Sequence, residues 1–320
     1  MGLSQEVFVR RYEALWEDFR DLLDSLDASG HGQPVDDFPA HYRTICRHLA
    51  VARSRGYSPV LRRRLEQLVQ RGHTVLYQRT RRAPMREIWA YVAGGFARDV
   101  RGNWPFLVAS LLAFALPFLA IMAWVIQEPP MAVEILGWEQ AMALDEMYSS
   151  PNTDRWAGDD VMMFGFYISN NTGIALRTFG AGVIFGIGSL AILLFNGLFL
   201  GAASGYIVAA GHGANFWPFV IGHGSFELTA IVIAGMAGLK IGAAPIWPGR
   251  RGRVDAVRQA ARESVGLILG FSAMMFIAAF IEAFWSPRLI DANIRYAVGF
   301  GLWLFVFAYF ALAGRRRATR

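Results

Sequence analysis

Residues Phe216 to Leu239 read FWPFVIGHGSFELTAIVIAGMAGL, an apolar run whose only ionisable side chains before Lys240 are His223 and Glu227. The run is long enough to cross a hydrocarbon core of about 30 Å, which takes roughly 20 helical residues. Within it, Ile221-Gly222-His223-Gly224-Ser225-Phe226-Glu227-Leu228 spaces the histidine and the glutamate by four positions. A helix places such a pair one turn apart on one face, so both side chains point into whatever that face touches. Ionisable groups at membrane depth are costly, and they face a protein interior, a polar cavity or a partner.

The rest of the chain fits a membrane protein. Over 320 residues, 54% are hydrophobic and the mean hydropathy is +0.32, too apolar for one ordinary soluble domain. The net charge of +6 comes from 31 basic residues, of which Lys240 is the only lysine, against 25 acids. Its distribution is uneven: residues 1–104 hold 17 Arg against 12 acids, and residues 127–160 hold one Arg against eight acids. The loop 240–262 carries six basic residues against Asp255, and the tail ends Arg315-Arg316-Arg317-Ala318-Thr319-Arg320. Basic segments beside spans favour the cytoplasmic side, so the asymmetry reads as orientation, and no nucleic-acid partner is expected. The single cysteine, Cys46, excludes an intrachain disulfide and a Cys-rich zinc site. Met1 to Asp27 is charged and helical in pattern, which does not read as a signal peptide.

Helical spacing of Val7, Tyr12, Leu15, Phe19, Leu22, Leu23 and Leu26 predicts a first amphipathic helix over 4–28, broken at Ser29-Gly30-His31-Gly32-Gln33-Pro34. A second is expected over 37–55 and a third over 59–82, with Ser58 as N-cap and Pro59 at the first helical position. Together, residues 1–83 read as a cytosolic helical bundle. Residues 84–103 place Ile88, Trp89, Tyr91, Val92 and Phe96 among Arg81, Arg82, Arg86, Arg98 and Arg101. That pattern predicts a basic interfacial helix on anionic lipid headgroups; a fourth bundle helix is the alternative.

Residues 104–314 read as the transmembrane domain. Trp104–Ile126 is the first span, with Trp104 and Trp124 as interfacial anchors. An acidic outer loop 127–160 follows, with an amphipathic helix over 131–147. Further spans are expected over 161–180, 182–210, 216–239, 264–284 and 297–313. If the N-terminal domain and the basic loop 240–262 both lie inside, an odd number of crossings must separate the acidic loop from the basic one. Counting 161–180 despite Ser169, Asn170, Asn171, Thr172 and Arg177 satisfies that parity. The fold class expected is therefore all-α: a polytopic helical membrane protein with about six crossings, discontinuous polar segments, and both termini cytoplasmic.

Taken together, the polar residues of the spans resemble those of the stage II sporulation protein M family. The resemblance rests on Asn170-Asn171 in an apolar segment, Asn196-Gly197 within a span, His223-Gly224-x-x-Glu227, and the stretch Ala278-Ala279-Phe280-Ile281-Glu282-Ala283-Phe284 closed by Pro287. It covers roughly 161–290. The positions it marks are Asn170, Asn171, Asn196, His223, Glu227 and Glu282. It implies an integral membrane fold in the bacterial inner membrane, and partners among envelope-remodelling, peptidoglycan-degrading proteins.

Each polar residue carries a structural and a functional reading. His223 and Glu227 could lock helix packing, carry protons or ions, or supply two metal ligands with Glu282 or His212 as a third. The chain has no HExxH motif and only six histidines, so neither a metal nor another cofactor is expected. Asn170 and Asn171 suit either unwound backbone in a broken span or interhelical glue. Arg177 suits a pairing with Glu227 or Glu282, or snorkelling to the cytoplasmic interface. Lys240 and His212 complete the polar set. Small residues at Gly182-x3-Gly186, Gly197-x3-Gly201-x3-Gly205 and Gly238-x3-Gly242 predict close helix contact, within the bundle or across a homodimer.

No G-x-S-x-G elbow, Walker loop or serine placed with a histidine for nucleophilic attack is present, and no catalytic residue is assigned. Three functions are compatible with this pattern. The first is a non-enzymatic component of an envelope-remodelling assembly. The others are a proton- or ion-coupled transporter or channel and an intramembrane hydrolase.

Overall fold

In the computed structural model, the described residues are 4–29, 37–78, 84–149 and 157–315. The expected breaks at 30–34 and 150–153, Arg81, Arg82 and the basic tail from Arg316 lie outside them. The chain divides into two compact units, Met1–Ile88 and Trp89–Arg320.

The first unit holds three long helices, α1 (Gln5–Ser29), α2 (Phe38–Ser54) and α3 (Pro59–Gln78). Their 3.6-residue stripes bury Phe8, Trp16, Phe19, Leu23, Phe38, Ile45, Leu49, Leu61 and Leu65 in one core. Ser58 caps α3 as expected, its Oγ accepting from the Leu61 N–H at 3.4 Å, and Gln5 braces that cap by accepting from the Ser58 N–H at 2.8 Å. Inside the core, the indole N–H of Trp16 donates to Nδ1 of His48 at 3.0 Å. A short helix, α4 (Pro84–Ala90), follows and runs across the boundary between the units.

The second unit begins with a π-helical turn at Tyr91–Gly95 and α5 (Phe96–Gly102). The interfacial helix expected over 84–103 thus forms as one continuous run with a π-helical turn inside it, and one side of its C-terminal part is buried. Phe96, Ala97 and Val100 are buried among the membrane helices, whereas Met85, Ile88 and Trp89 are exposed. A fourth bundle helix is excluded for residues 89–102, which belong to the second unit.

Next come α6 (Trp104–Gln127), α7 (Pro130–Leu136), α8 (Trp138–Ser149), α9 (Ala157–Gly180), α10 (Ile187–Ala209), α11 (Gly213–Ala243), α12 (Arg253–Phe284) and α13 (Ala292–Leu312). Among the described residues, α6, α10, α11, α12 and α13 are the five helices long and apolar enough to cross a membrane. At 24 residues, α9 has the length of a span, but its polar half leaves it below the apolar content of the other five. It runs unbroken through Asn170 and Asn171. The backbone break falls afterwards, at a 3-10 turn over Ala181–Val183 and a left-handed Gly186 with φ of 80°. The acidic region also differs from expectation: it is two helices rather than one, because Gly137 takes φ of 83° between them. The loop joining α11 to α12 is short, since the residues from Arg253 onward already form α12.

α11 is the axis of this unit. It packs against α6, α9, α10, α12 and α13, and its second half is buried on nearly every face. The glycine spacings are used within the chain. Gly197, Gly201 and Gly205 of α10 lie on the backbone of α6 at Phe114, Phe118 and Met122. Gly238 of α11 lies on the end of α9 at Phe179, and Gly242 lies on the connector at Gly182 and Gly186, where a side chain has no room. Gly182-x3-Gly186 therefore sits in a turn and receives α11, instead of forming a helix face.

Candidate intramembrane polar site

One turn of α11 separates His223 from Glu227, and both project from the side that meets α9 and α12. From α12 comes Glu282. One ligand-type atom from each of His223, Glu227 and Glu282 lies within 4.8 Å of the other two. His223 and Glu282 are buried, and Glu227 is partly so. Local helix geometry brings the first two together; the packing of α12 on α11 brings the third.

The neighbouring groups orient this trio. Nδ2 of Asn171, on α9, donates to Oε2 of Glu282 at 3.4 Å, and Nδ2 of Asn170 donates to Oδ1 of Asn171 at 2.9 Å. On the other side, His223 Nδ1 lies 3.3 Å from the hydroxyl oxygen of Ser286. The Phe219 ring stands edge-on to the imidazole, 5.4 Å between centroids. Ser225 points elsewhere and donates to the Gly222 carbonyl at 2.8 Å, as its position two residues past His223 predicts.

Ser286 was not legible as a site residue. It follows α12 directly before Pro287 and reads as ordinary chain-terminating punctuation. The available signal is its spacing, four residues after Glu282.

Four other candidates are engaged away from the trio. Asn196 donates to the Ile192 carbonyl of its own helix at 2.8 Å. Arg177 is exposed and donates to the Gly173 carbonyl at 3.0 Å, so it pairs with neither glutamate. Lys240 forms an ion pair with Glu263 at 3.0 Å, joining the C-terminal end of α11 to α12. His212 meets Asp145 at 2.9 Å, and Asn215 donates to the Tyr148 carbonyl at 2.8 Å. These two contacts tie the acidic helix α8 to the start of α11. His212 is therefore a latch residue of that end, not a third partner for His223.

A further pair escaped the sequence. Asp160, at the start of α9, is 1% exposed in its side chain and is bridged by Arg288 from the turn after α12. Helix α9 is thus held on α12 at both the Asp160 and the Asn171 levels.

The site can bind a cation, share a proton between carboxylates, or lock three helices. The expectation that no serine stands with a histidine does not hold in the fold, since the Ser286 hydroxyl lies within hydrogen-bond distance of the His223 imidazole.

Comparison with known proteins places these features. A family model described as Stage II sporulation protein M matches residues 110–287, just over half of the chain, and contains every residue of the trio and its neighbours. A second model, a domain of unknown function (DUF8413), matches residues 6–78, the three-helix bundle. Neither the curated proteins nor the solved structures provide a match.

Proposed function

The chain belongs to the stage II sporulation protein M family, and from that membership we propose that it is a non-enzymatic component of a cell-envelope remodelling assembly in the bacterial inner membrane. One observation supports this reading above the others. The polar residues of the family region close on one another across α9, α11 and α12, with Asn171 on Glu282 and Ser286 on His223. Hydrogen bonds made from helix to helix in this way suit a group that sets helix packing better than one that lines an open path.

Charge supports the orientation that goes with it. The Arg-rich first unit and the basic α11–α12 loop favour the cytoplasmic side, and the acidic α7–α8 region favours the outer side. This topology needs α9 to cross as a sixth span, carrying its polar stripe against α11 and α12. The basic bundle and the acidic helices are then docking surfaces on opposite sides. The exposed Met85, Ile88 and Trp89 of α4, beside Arg86, suit contact with anionic headgroups.

Depletion in the native cell tests the role. The expected result is an altered muropeptide profile, restored by the wild-type chain and lost again with His223→Ala together with its partner complexes. An unchanged profile on depletion overturns the proposal. Proton- or ion-dependent flux in liposomes, abolished by Glu227→Gln, would put the transporter reading in its place.

A further inference from the structure

We propose that His223, Glu227 and Glu282 bind a divalent transition metal of the zinc class, which ties α11 to α12 inside the membrane unit. The proposal goes beyond the envelope role and stands without it.

The donor set is the first argument. One imidazole and two carboxylates converge from two helices, with a ligand atom of each within 4.8 Å of the others. Ligands at about 2.0–2.2 Å from a tetrahedral ion are roughly 3.3–3.6 Å apart, so the trio closes on an ion by an ångström or so of side-chain rotation. Three torsions in each glutamate supply that movement. An imidazole among the ligands selects transition metals over magnesium or calcium, which take six or more oxygens.

The surroundings are the second argument. Ligating histidines use one ring nitrogen on the metal and the other on an orienting partner, and ligating carboxylates are themselves hydrogen-bonded. Here the Ser286 hydroxyl engages Nδ1 of His223, which leaves Nε2 for the ion. Asn171 orients Glu282 in the same way and is itself fixed by Asn170. The asparagine pair thus has a role one step removed from the ion.

Charge balance is the third. Two carboxylates converge in one small volume of the membrane unit, and a divalent cation supplies the charge that balances both.

The test uses the full chain carrying a tag without histidines, purified in detergent. The protein is stripped with EDTA, exposed to Zn2+, desalted and assayed for metal by mass spectrometry. The expected result is about one zinc per chain, falling roughly tenfold in Glu227→Gln and Glu282→Gln, together with a zinc-dependent rise in unfolding temperature seen only in the wild type. Equal metal content in wild type and variants, or a wild type holding less than about a tenth of an equivalent, overturns the site. Should the variants fail to fold, Co2+ on the wild type decides the matter. Visible d–d bands of four- or five-coordinate cobalt support the site, and their absence refutes it. The metal readout is independent of muropeptides, so its failure leaves the envelope role standing.

Discussion

Asn171 and Glu282 lie 111 positions apart in the chain and meet at 3.4 Å, the amide of one on the carboxylate of the other. That contact joins α9, the most polar of the long membrane-unit helices, to α12. Removing the amide with Asn171→Ala is expected to lower thermal stability in detergent by about 0.6–2 kcal/mol, the range of interhelical polar bonds in membranes. Asn171→Asp should cost more, because it sets a third carboxylate beside Glu282 and Glu227. A thermal-shift series on both variants checks the order; equal or reversed losses would mean that the contact contributes little.

Gly201 carries the close approach of α10 to α6. A methyl built there would lie 2.5 Å from the Phe118 carbonyl oxygen, a backbone atom that cannot swing aside. Gly201→Ala is therefore expected to destabilise by about 1–3 kcal/mol, as overpacked cores do. Gly301→Ala, on a face of α13 with nothing within 4 Å, should be neutral or slightly stabilising. Urea or thermal unfolding of the two variants side by side provides the comparison.

Asp160 and Arg288 give an asymmetric pair. The aspartate side chain is 1% exposed and the arginine 39%, so deleting the cation strands a buried charge. Arg288→Ala is expected to cost about 3–5 kcal/mol, whereas Asp160→Asn, which removes the charge at its source, should cost markedly less. Expression level and melting temperature of the two variants settle the ranking. Equal losses would show that the bridge acts by geometry alone.

The bundle should be sensitive to acid through His48. Burial first, and the charge of Arg47 second, hold its pKa below the ordinary value of 6.5. The folded state thus prefers the neutral ring, whose Nδ1 accepts from Trp16. The unfolded chain binds the proton first as pH falls, so stability is full above about pH 6.5 and declines below it, towards the lowered folded value. The decline in melting temperature between pH 7.5 and 5 should be smaller in His48→Gln than in the wild type. An identical pH dependence in the two proteins would rule out His48 as the group responsible.

Much of the architecture was readable beforehand, and the misses share a cause. The spans at α6, α10, α11, α12 and α13 were visible because each carries a long apolar run, a local property of composition. The bundle was visible because its apolar residues recur at helical spacing. The expected interfacial helix did not show beforehand that its side with Phe96 and Val100 is buried. Phe96 and Val100 look the same whether they meet lipid or the flank of α12 and α13. The Gly182 and Gly186 spacing gave the close contact but not its setting, for a related reason. Small residues one turn apart signal close contact, but not whether they form a helix or a turn that receives one.

By itself, the sequence determined a helical membrane protein with an N-terminal bundle, its family, and the pairing of His223 with Glu227. Each of these follows from residues close together in the chain or from the chemistry of a contiguous run. Only the tertiary structure decided that Glu282, Asn171 and Ser286 join that pair, while Asn196, Arg177, Lys240 and His212 are satisfied elsewhere. The choice depends on how each helix is rotated about its axis against its neighbours. That rotation is set by backbone approach at Gly182, Gly197, Gly201, Gly238 and Gly242, across distances in sequence that no local pattern encodes.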